Sequence, residues 1–314
     1  MISIAGIATF TAVAASLTAL CLAAQIRSML AAWNVRQAWS WMIAALLVLL
    51  MHSIVSIPQL HCSDAVISAA GYLAATMLLT PLVTILGARR PGILAWHWFV
   101  VLPMVLVLQW PAISQLSGNH WRAPVELSGP SMMGMIVVLI MSAGTLLGTS
   151  STLFAMLYSS GITILLMSVT SLPWGKTVVT PLSAMLVLTA LWTARRNLLN
   201  SLHQIQTSET TSQRTQAVWN LFSSLHGFAW MRRVQDRINQ FAPRERWIVQ
   251  LTPSGFHCSN AAAGREPHDD ELILPLDAFI WVLARFADET WLRQTLQNPQ
   301  NLTIPHDDPS ITTD

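Results

Sequence analysis

Residues 127–175 read LSGPSMMGMIVVLIMSAGTLLGTSSTLFAMLYSSGITILLMSVTSLPWG and contain no Asp, Glu, Lys or Arg. A helix that crosses about 30 Å of hydrocarbon needs about 20 mostly apolar residues. This stretch is therefore too long for one span and long enough for two, with Gly-Thr-Ser-Ser at 148–151 as the connection. It predicts a helical hairpin in a membrane, with helices at about 131–148 and 152–171.

The charge pattern of the whole chain extends this prediction to the first two thirds of the sequence. Of the 314 residues, 53% are hydrophobic and 10% are charged, whereas about 25% are charged in a typical soluble domain. Residues 1–196 contain ten charged residues and residues 197–314 contain twenty-two. We therefore predict an all-α polytopic membrane domain over residues 1–196. Its seven predicted transmembrane helices lie at about 3–24, 39–59, 65–87, 94–116, 131–148, 152–171 and 177–194.

The basic residues of the short loops predict an orientation, because cytoplasmic loops carry an excess of Lys and Arg. One side of the seven-helix arrangement receives six arginines, and the other side receives only Arg122 and Lys176. The N-terminus is therefore predicted outside and the C-terminus in the cytoplasm of a cell (cytoplasmic) membrane, as in a bacterial inner membrane. The first helix has no basic segment before it and is predicted to be an anchor, although cleavage as a signal peptide would leave six spans. The six arginines are Arg27, Arg36, Arg89, Arg90, Arg195 and Arg196.

Ionisable side chains inside a membrane often mark ion paths and proton relays, because burying a charge is costly. No Asp, Glu, Lys or Arg lies within a predicted span, which disfavours an ion-coupled transporter. The polar candidates within the spans are His52, His97 and Gln109. The depths of the two histidines differ by roughly 15 Å at about 1.5 Å rise per residue, so they cannot hold one metal or haem between them. We predict no catalytic residue and no metal ligand among these candidates.

The cysteines predict neither disulfides nor a zinc site. Cys21, Cys62 and Cys258 are scattered, with no CxxC or Cys/His zinc spacing. The one alternative is an external metal site in which His61 and His120 meet, with Cys62 and Asp64 nearby. No cofactor is predicted.

The C-terminal third is predicted to be a small cytoplasmic α+β module. A helix from 215 to 241 carries Trp219, Trp230 and several arginines, which would suit either the inner leaflet or packing within the module, and packing is the preferred interpretation. Residues 197–314 carry nine Arg and thirteen acidic residues, so no nucleic-acid partner is predicted. The two Pro-His-Asp-Asp sequences are predicted to be solvated loops. The predicted parts are a polar linker at 197–214, a module at 215–298 with strands at 247–251, 256–258 and 272–274, a helix at 275–296, and a disordered tail at 299–314.

The sequence contains no P-loop, dinucleotide-binding glycine pattern, kinase loop, nucleophile elbow or HExxH motif. The favoured hypothesis is therefore a non-catalytic scaffold, assembly factor or subunit of a membrane complex, whose partners are the lipid bilayer and other proteins. One alternative is a transporter or channel for a neutral or lipid-like solute, which predicts a polar cavity formed by Ser, Thr, His52 and Gln109. A second alternative is a seven-helix membrane sensor.

Overall fold

The computed structural model describes residues 4–87, 95–117, 124, 125, 127, 129–169, 176–258 and 267–297. Of the described residues, about 80% are helical, and the chain divides into two compact units. The first unit comprises Met1–Leu199 together with Phe222–Met231, and the second comprises Asn200–Leu221 together with Arg232–Asp314.

Each of the seven predicted membrane segments contains a helix. Within the described residues, five stretches are long and apolar enough to cross a membrane, and two further apolar helices, α5 and α6, are shorter. The structure therefore supports membrane-type helices but does not confirm a count of seven spans. The five stretches are Gly6–Met29, Arg36–Val55, Asp64–Leu86, His97–Gln115 and Val178–Thr207. The helices are α1 (Ile4–Met29), α2 (Arg36–Val55), α3 (Asp64–Leu86), α4 (Leu102–Ser117, preceded by a π-helical turn at His97–Val101), α5 (Gly129–Gly144), α6 (Thr152–Val169) and α7 (Lys176–Thr207).

Helix α3 is the central helix of the first unit. In the most apolar window of α3, 67% of the residues are buried, compared with 22% to 39% in the other four candidate spans. Helix α3 contacts α2, α4, α5 and α6. Small residues on α3, such as Ala70, Gly71, Ala74 and Ala75, allow neighbouring helices to approach closely.

Most of the segment 197–214, which the sequence predicts to be a polar linker, is helical. Helix α7 continues to Thr207, and α8 begins at Thr211. Leu198 and Ile205 are both buried, and their spacing of seven residues places them on one face of a helix. This apolar face, with no Gly or Pro to interrupt it, explains why the polar segment remains helical.

The second unit is an α+β module with one two-stranded antiparallel sheet. Its core includes Trp219, which is fully buried and lies 6.1 Å from the ring of Phe279. The indole N–H of Trp219 donates a hydrogen bond to the Thr252 carbonyl over 3.0 Å. The preferred interpretation of the helix predicted at 215–241 is packing within the module, and this is confirmed for Trp219. The elements are α8 (Thr211–Asn239), β1 (Val249–Thr252), β2 (Gly255–Cys258), α9 (Asp269–Leu283) and α10 (Glu289–Gln297).

Two of the three predicted strands form the sheet, and the third prediction is wrong. Strands β1 and β2 pair with Val249 opposite Cys258. The predicted strand at 272–274 instead lies in α9, which begins at Asp269. The Glu271 carboxylate accepts a hydrogen bond from the backbone N–H of His268 over 2.8 Å, and this capping interaction satisfies a donor at the start of the helix.

The prediction of a single helix at 275–296 is wrong, because α9 ends at Leu283 and a separate helix, α10, begins at Glu289. Contrary to the prediction of a loop, the first Pro-His-Asp-Asp sequence leads into α9. The second copy and the predicted disordered tail at 299–314 lie outside the described residues.

Candidate functional site

His52 lies in a contact between three helices of the first unit. Its side chain on α2 is buried, and Nε2 lies 3.4 Å from Oγ1 of Thr180 on α7. Gly71 of α3 faces the ring, so closely that a Cβ at this position would lie 3.0 Å from Cε1 of His52. The missing side chain of Gly71 therefore provides the room in which the imidazole ring sits.

Gln109 connects α4 to α3. Its buried amide donates a hydrogen bond to the hydroxyl of Thr76 over 2.7 Å and a longer one to the Tyr72 carbonyl over 3.4 Å. The Tyr72 hydroxyl in turn donates to the Leu108 carbonyl. These polar groups satisfy one another across the helix–helix contact, as polar residues do between membrane helices.

His97 connects the π-helical turn before α4 to α2. The Trp41 indole N–H donates to Nδ1 of His97 over 3.0 Å, and Nε2 lies 2.5 Å from Oε1 of Gln37. An indole nitrogen can only donate, so Nδ1 is the acceptor and the proton of the neutral ring is on Nε2. Both ring nitrogens are therefore engaged with α2.

The structure does not bring the three sequence-predicted residues into one site. His52, His97 and Gln109 each have different partners. Among the residues that the structure describes, no group of three or more His, Cys, Asp or Glu side chains could hold a metal ion. The proposed meeting of His61 with His120 is untested, because His120 lies outside the described ranges.

A small, mainly apolar cavity lies among the helices of the first unit. It has a volume of about 50 Å³, and its apolar lining includes Trp39, Met42 and Phe154. Helices α1, α2, α3, α6 and α7 contribute to it, together with Ser224 and Leu225 of α8. The described residues that line this cavity do not include His52, His97 or Gln109.

Residues Phe222–Met231 of α8, which we call the docked segment, belong to the first unit. The hydroxyl of Ser151, at the turn between α5 and α6, donates to the Ser224 carbonyl over 2.8 Å. The backbone N–H of Phe228 donates to the carbonyl of Thr145, at the same turn, over 2.7 Å. The docked segment is therefore held to the α5–α6 turn by two backbone-directed hydrogen bonds.

Gly227 makes this docking possible. It has φ 79° and ψ 175° within α8, a region of backbone conformation that is essentially restricted to glycine. A Cβ at Gly227 would also overlap the Thr145 carbonyl. The sequence prediction placed the whole helix at 215–241 in the soluble module and therefore missed the docked segment, although an isolated glycine in a helical pattern often has a packing reason.

Burial lowers the pKa of His226, also in the docked segment, to about 3 from its ordinary value of 6.5. Its ring lies 4.6 Å from Phe222 and 5.9 Å from Trp33, which follows α1. The unfolded or released segment binds a proton below about pH 6.5, whereas the docked segment does not until about pH 3. Docking is therefore fully stable above pH 6.5 and is progressively weakened as the pH falls through this window.

We expect acidification from pH 7.5 to pH 5 to lower the stability of the docked segment by about 2 kcal/mol, since each pKa unit corresponds to about 1.4 kcal/mol. Hydrogen exchange of residues 222–231 in the full chain, referred to the intrinsic exchange rate at each pH, measures this change. Substitution His226→Phe should abolish most of the pH dependence, and His203→Phe, at an exposed position of α7, is the matched control. Equal pH dependence in wild type and His226→Phe would contradict the assignment.

Comparison with known proteins found no matching family model, no matching curated protein and no matching solved structure.

Proposed function

We propose that this chain is a non-catalytic component of a membrane complex, acting as a scaffold, assembly factor or subunit. The observation that carries the proposal is that the polar side chains of the apolar helices contact one another. His52, His97 and Gln109 all face polar groups of neighbouring helices. Their chemistry contributes to helix packing, which is the expected role of such groups in a protein whose function is to hold a defined shape.

The cavity supports the same proposal. Ligand-binding pockets usually enclose about 300–1,000 Å³ and combine apolar walls with a few convergent polar groups. The cavity described above has about 50 Å³, and neither His52 nor Gln109 lines it. No described feature favours the sensor alternative specifically.

The membrane arrangement we propose has seven spans, an outside N-terminus and a cytoplasmic C-terminus in a bacterial cytoplasmic membrane. Helices α5 and α6 contain 16 and 18 residues, or about 24 and 27 Å at 1.5 Å rise per residue. The uncharged residues that flank both helices in 127–175 support their placement as membrane spans. The six-to-two distribution of basic loop residues supports the orientation.

Labelling with a membrane-impermeant maleimide in intact cells tests this orientation. Cys62 lies between α2 and α3 and should react from outside. In a Cys62→Ser background, a Glu209→Cys label between α7 and α8 should react only after the cells are permeabilised. Labelling of Glu209→Cys in intact cells would overturn the proposed topology.

Purification of the tagged full chain from its native membrane in a gentle detergent tests the proposed function. We expect one or more proteins to co-purify in fixed stoichiometry, as identified by mass spectrometry. A tagged seven-helix protein of unrelated sequence, expressed at the same level, controls for proteins that bind any hydrophobic bait. A chain that elutes alone after chemical cross-linking in the membrane would overturn the scaffold or subunit role.

A further inference from the structure

A row of stacked cationic and aromatic side chains lies on the second unit, away from the core around Trp219. The guanidinium carbon of Arg237 lies 5.0 Å from the centre of the Phe241 ring, and that of Arg285 lies 4.9 Å from the Trp281 ring. The Phe241 and Trp281 rings meet edge to face at 6.1 Å. We call these four residues the arginine–aromatic row. It joins the end of α8 to the end of α9.

Large apolar side chains are exposed on the elements that carry this row. Trp281 is 49% exposed, and Leu274, seven residues earlier on the same face of α9, is 61% exposed. The Trp247 ring lies 6.5 Å from Phe241, and the next residue, Ile248, is 44% exposed. Solvent exposure of so much aromatic and aliphatic surface around one cluster is typical of an interaction site.

The segment 232–246, at the α8 end of the row, has a net positive charge, although the C-terminal third as a whole is acidic and α9 itself contributes Asp270, Glu271 and Asp277. Five arginines occur between residues 232 and 246, and all are exposed. The acidic residues of that segment are Asp236, which pairs with Arg232 over 3.3 Å, and Glu245. On α9, the Asp277 carboxylate accepts a hydrogen bond from Gln297 over 3.1 Å and lies 3.7 Å from Arg293. Besides Arg232, the arginines of segment 232–246 are Arg233, Arg237, Arg244 and Arg246.

The occupant that suits this surface is an anionic lipid surface. Clustered arginines next to membrane segments attract anionic headgroups, their planar guanidinium groups pair with phosphate, and tryptophan prefers the interface between headgroups and hydrocarbon. The chain connection also favours a bilayer as the partner. Helix α7 is a candidate span that ends at Thr207, and α8 begins only four residues later at Thr211.

We propose that the arginine–aromatic row is a membrane-docking surface that binds anionic phospholipid headgroups, with Trp281 and Ile248 entering the interfacial region. This membrane face differs from the one that the sequence alone suggested for α8, because Trp219 and Trp230 are buried. The proposal concerns the second unit and does not depend on the scaffold or subunit role.

A spin label on the full chain tests the proposal. The exposed residue Gln250 of β1 lies two positions after Ile248, so the two side chains lie on the same side of the extended backbone. Gln250→Cys, with the native cysteines replaced, therefore places the label beside the row without changing it. The chain is reconstituted into nanodiscs of phosphatidylcholine alone or with phosphatidylglycerol. Power saturation then measures accessibility of the label to oxygen, which concentrates in lipid, and to a nickel chelate, which stays in water.

In phosphatidylglycerol discs we expect higher oxygen accessibility and lower nickel accessibility than in phosphatidylcholine discs. The double variant Arg237→Gln/Arg285→Gln should reduce the docking equilibrium constant about 25-fold, or about fivefold for each arginine. The variant Arg232→Gln is the matched control, because its residue lies five positions from Arg237 and faces another side of α8. It should dock as wild type does.

Two results would overturn the proposal. One is equal accessibility in the two kinds of disc. The other is protection from nickel without a gain in oxygen accessibility, which would identify the surface as a contact with protein, such as a second copy of this chain. Near-native hydrogen exchange in β1 and α9 verifies that the double variant is folded, so loss of docking can be assigned to the arginines.

Discussion

Substitution Gly227→Ala is expected to release the docked segment from the α5–α6 turn. Alanine in the backbone conformation of Gly227 costs of order 1–3 kcal/mol, and its Cβ would also overlap the Thr145 carbonyl. The backbone must therefore move, and the hydrogen bond from Phe228 to Thr145 is lost with it. We expect a total destabilisation of the docked state of at least about 2 kcal/mol, which corresponds to a roughly 30-fold increase in the population of open segment.

Hydrogen exchange of the full chain in nanodiscs measures this release. Amides of residues 222–231 should exchange at least about 30-fold faster in Gly227→Ala if they exchange through local opening. The matched control is Gly134→Ala on α5, where a Cβ would meet nothing within 4 Å and alanine should favour the helix. Unchanged exchange of the docked segment in Gly227→Ala would show that its position does not depend on this close backbone approach.

The membrane helices could be predicted from the sequence because lipid imposes a simple requirement on length and polarity. A charge-free stretch such as 127–175 satisfies this requirement without any knowledge of which helices touch. Helix ends depend on weaker, local effects. Helix α7 extends to Thr207 because Leu198 and Ile205 form an apolar face that is buried. Average hydropathy, the criterion for a membrane span, does not detect such a face.

Short apolar runs such as Leu272–Leu274 are ambiguous between strand and helix when only periodicity is considered. In the structure these residues lie in helix α9, where the Glu271 carboxylate accepts a hydrogen bond from the backbone N–H of His268. This interaction connects residues close in sequence, so the capping pattern of His268 and Glu271 predicts a helix start that the apolar run after it does not show.

The candidate site was harder to predict, because its contacts connect residues far apart in the chain. Polarity identified His52 and Gln109 as unusual within apolar helices, but their partners Thr180 and Thr76 look unremarkable in the sequence. The docked segment requires Gly227 to meet Thr145, which lies in a different predicted domain. Only the arrangement of the helices reveals these pairings.

Substitution Trp219→Ala is expected to unfold the second unit or leave it barely stable. Removing a fully buried tryptophan costs about 3–5 kcal/mol through lost apolar contacts and the cavity that remains. The change also removes the ring contact with Phe279 and the hydrogen-bond donor to the Thr252 carbonyl. A small module has a total stability near the lower end of about 5–15 kcal/mol, so this loss is comparable with the whole.

Denaturant-dependent hydrogen exchange of the full chain separates the two units in one experiment. In Trp219→Ala, amides of Val249–Thr252 and of α9 should lose their protection at low denaturant, while those of α3 serve as an internal reference and remain protected. Trp219→Phe should fall between wild type and alanine, because it retains an aromatic ring and loses the N–H donor. Trp281→Ala, at a position that is 49% exposed, is the control for loss of a tryptophan outside the core. If Trp219→Ala and Trp281→Ala destabilise the unit equally, Trp219 is not the centre of its core.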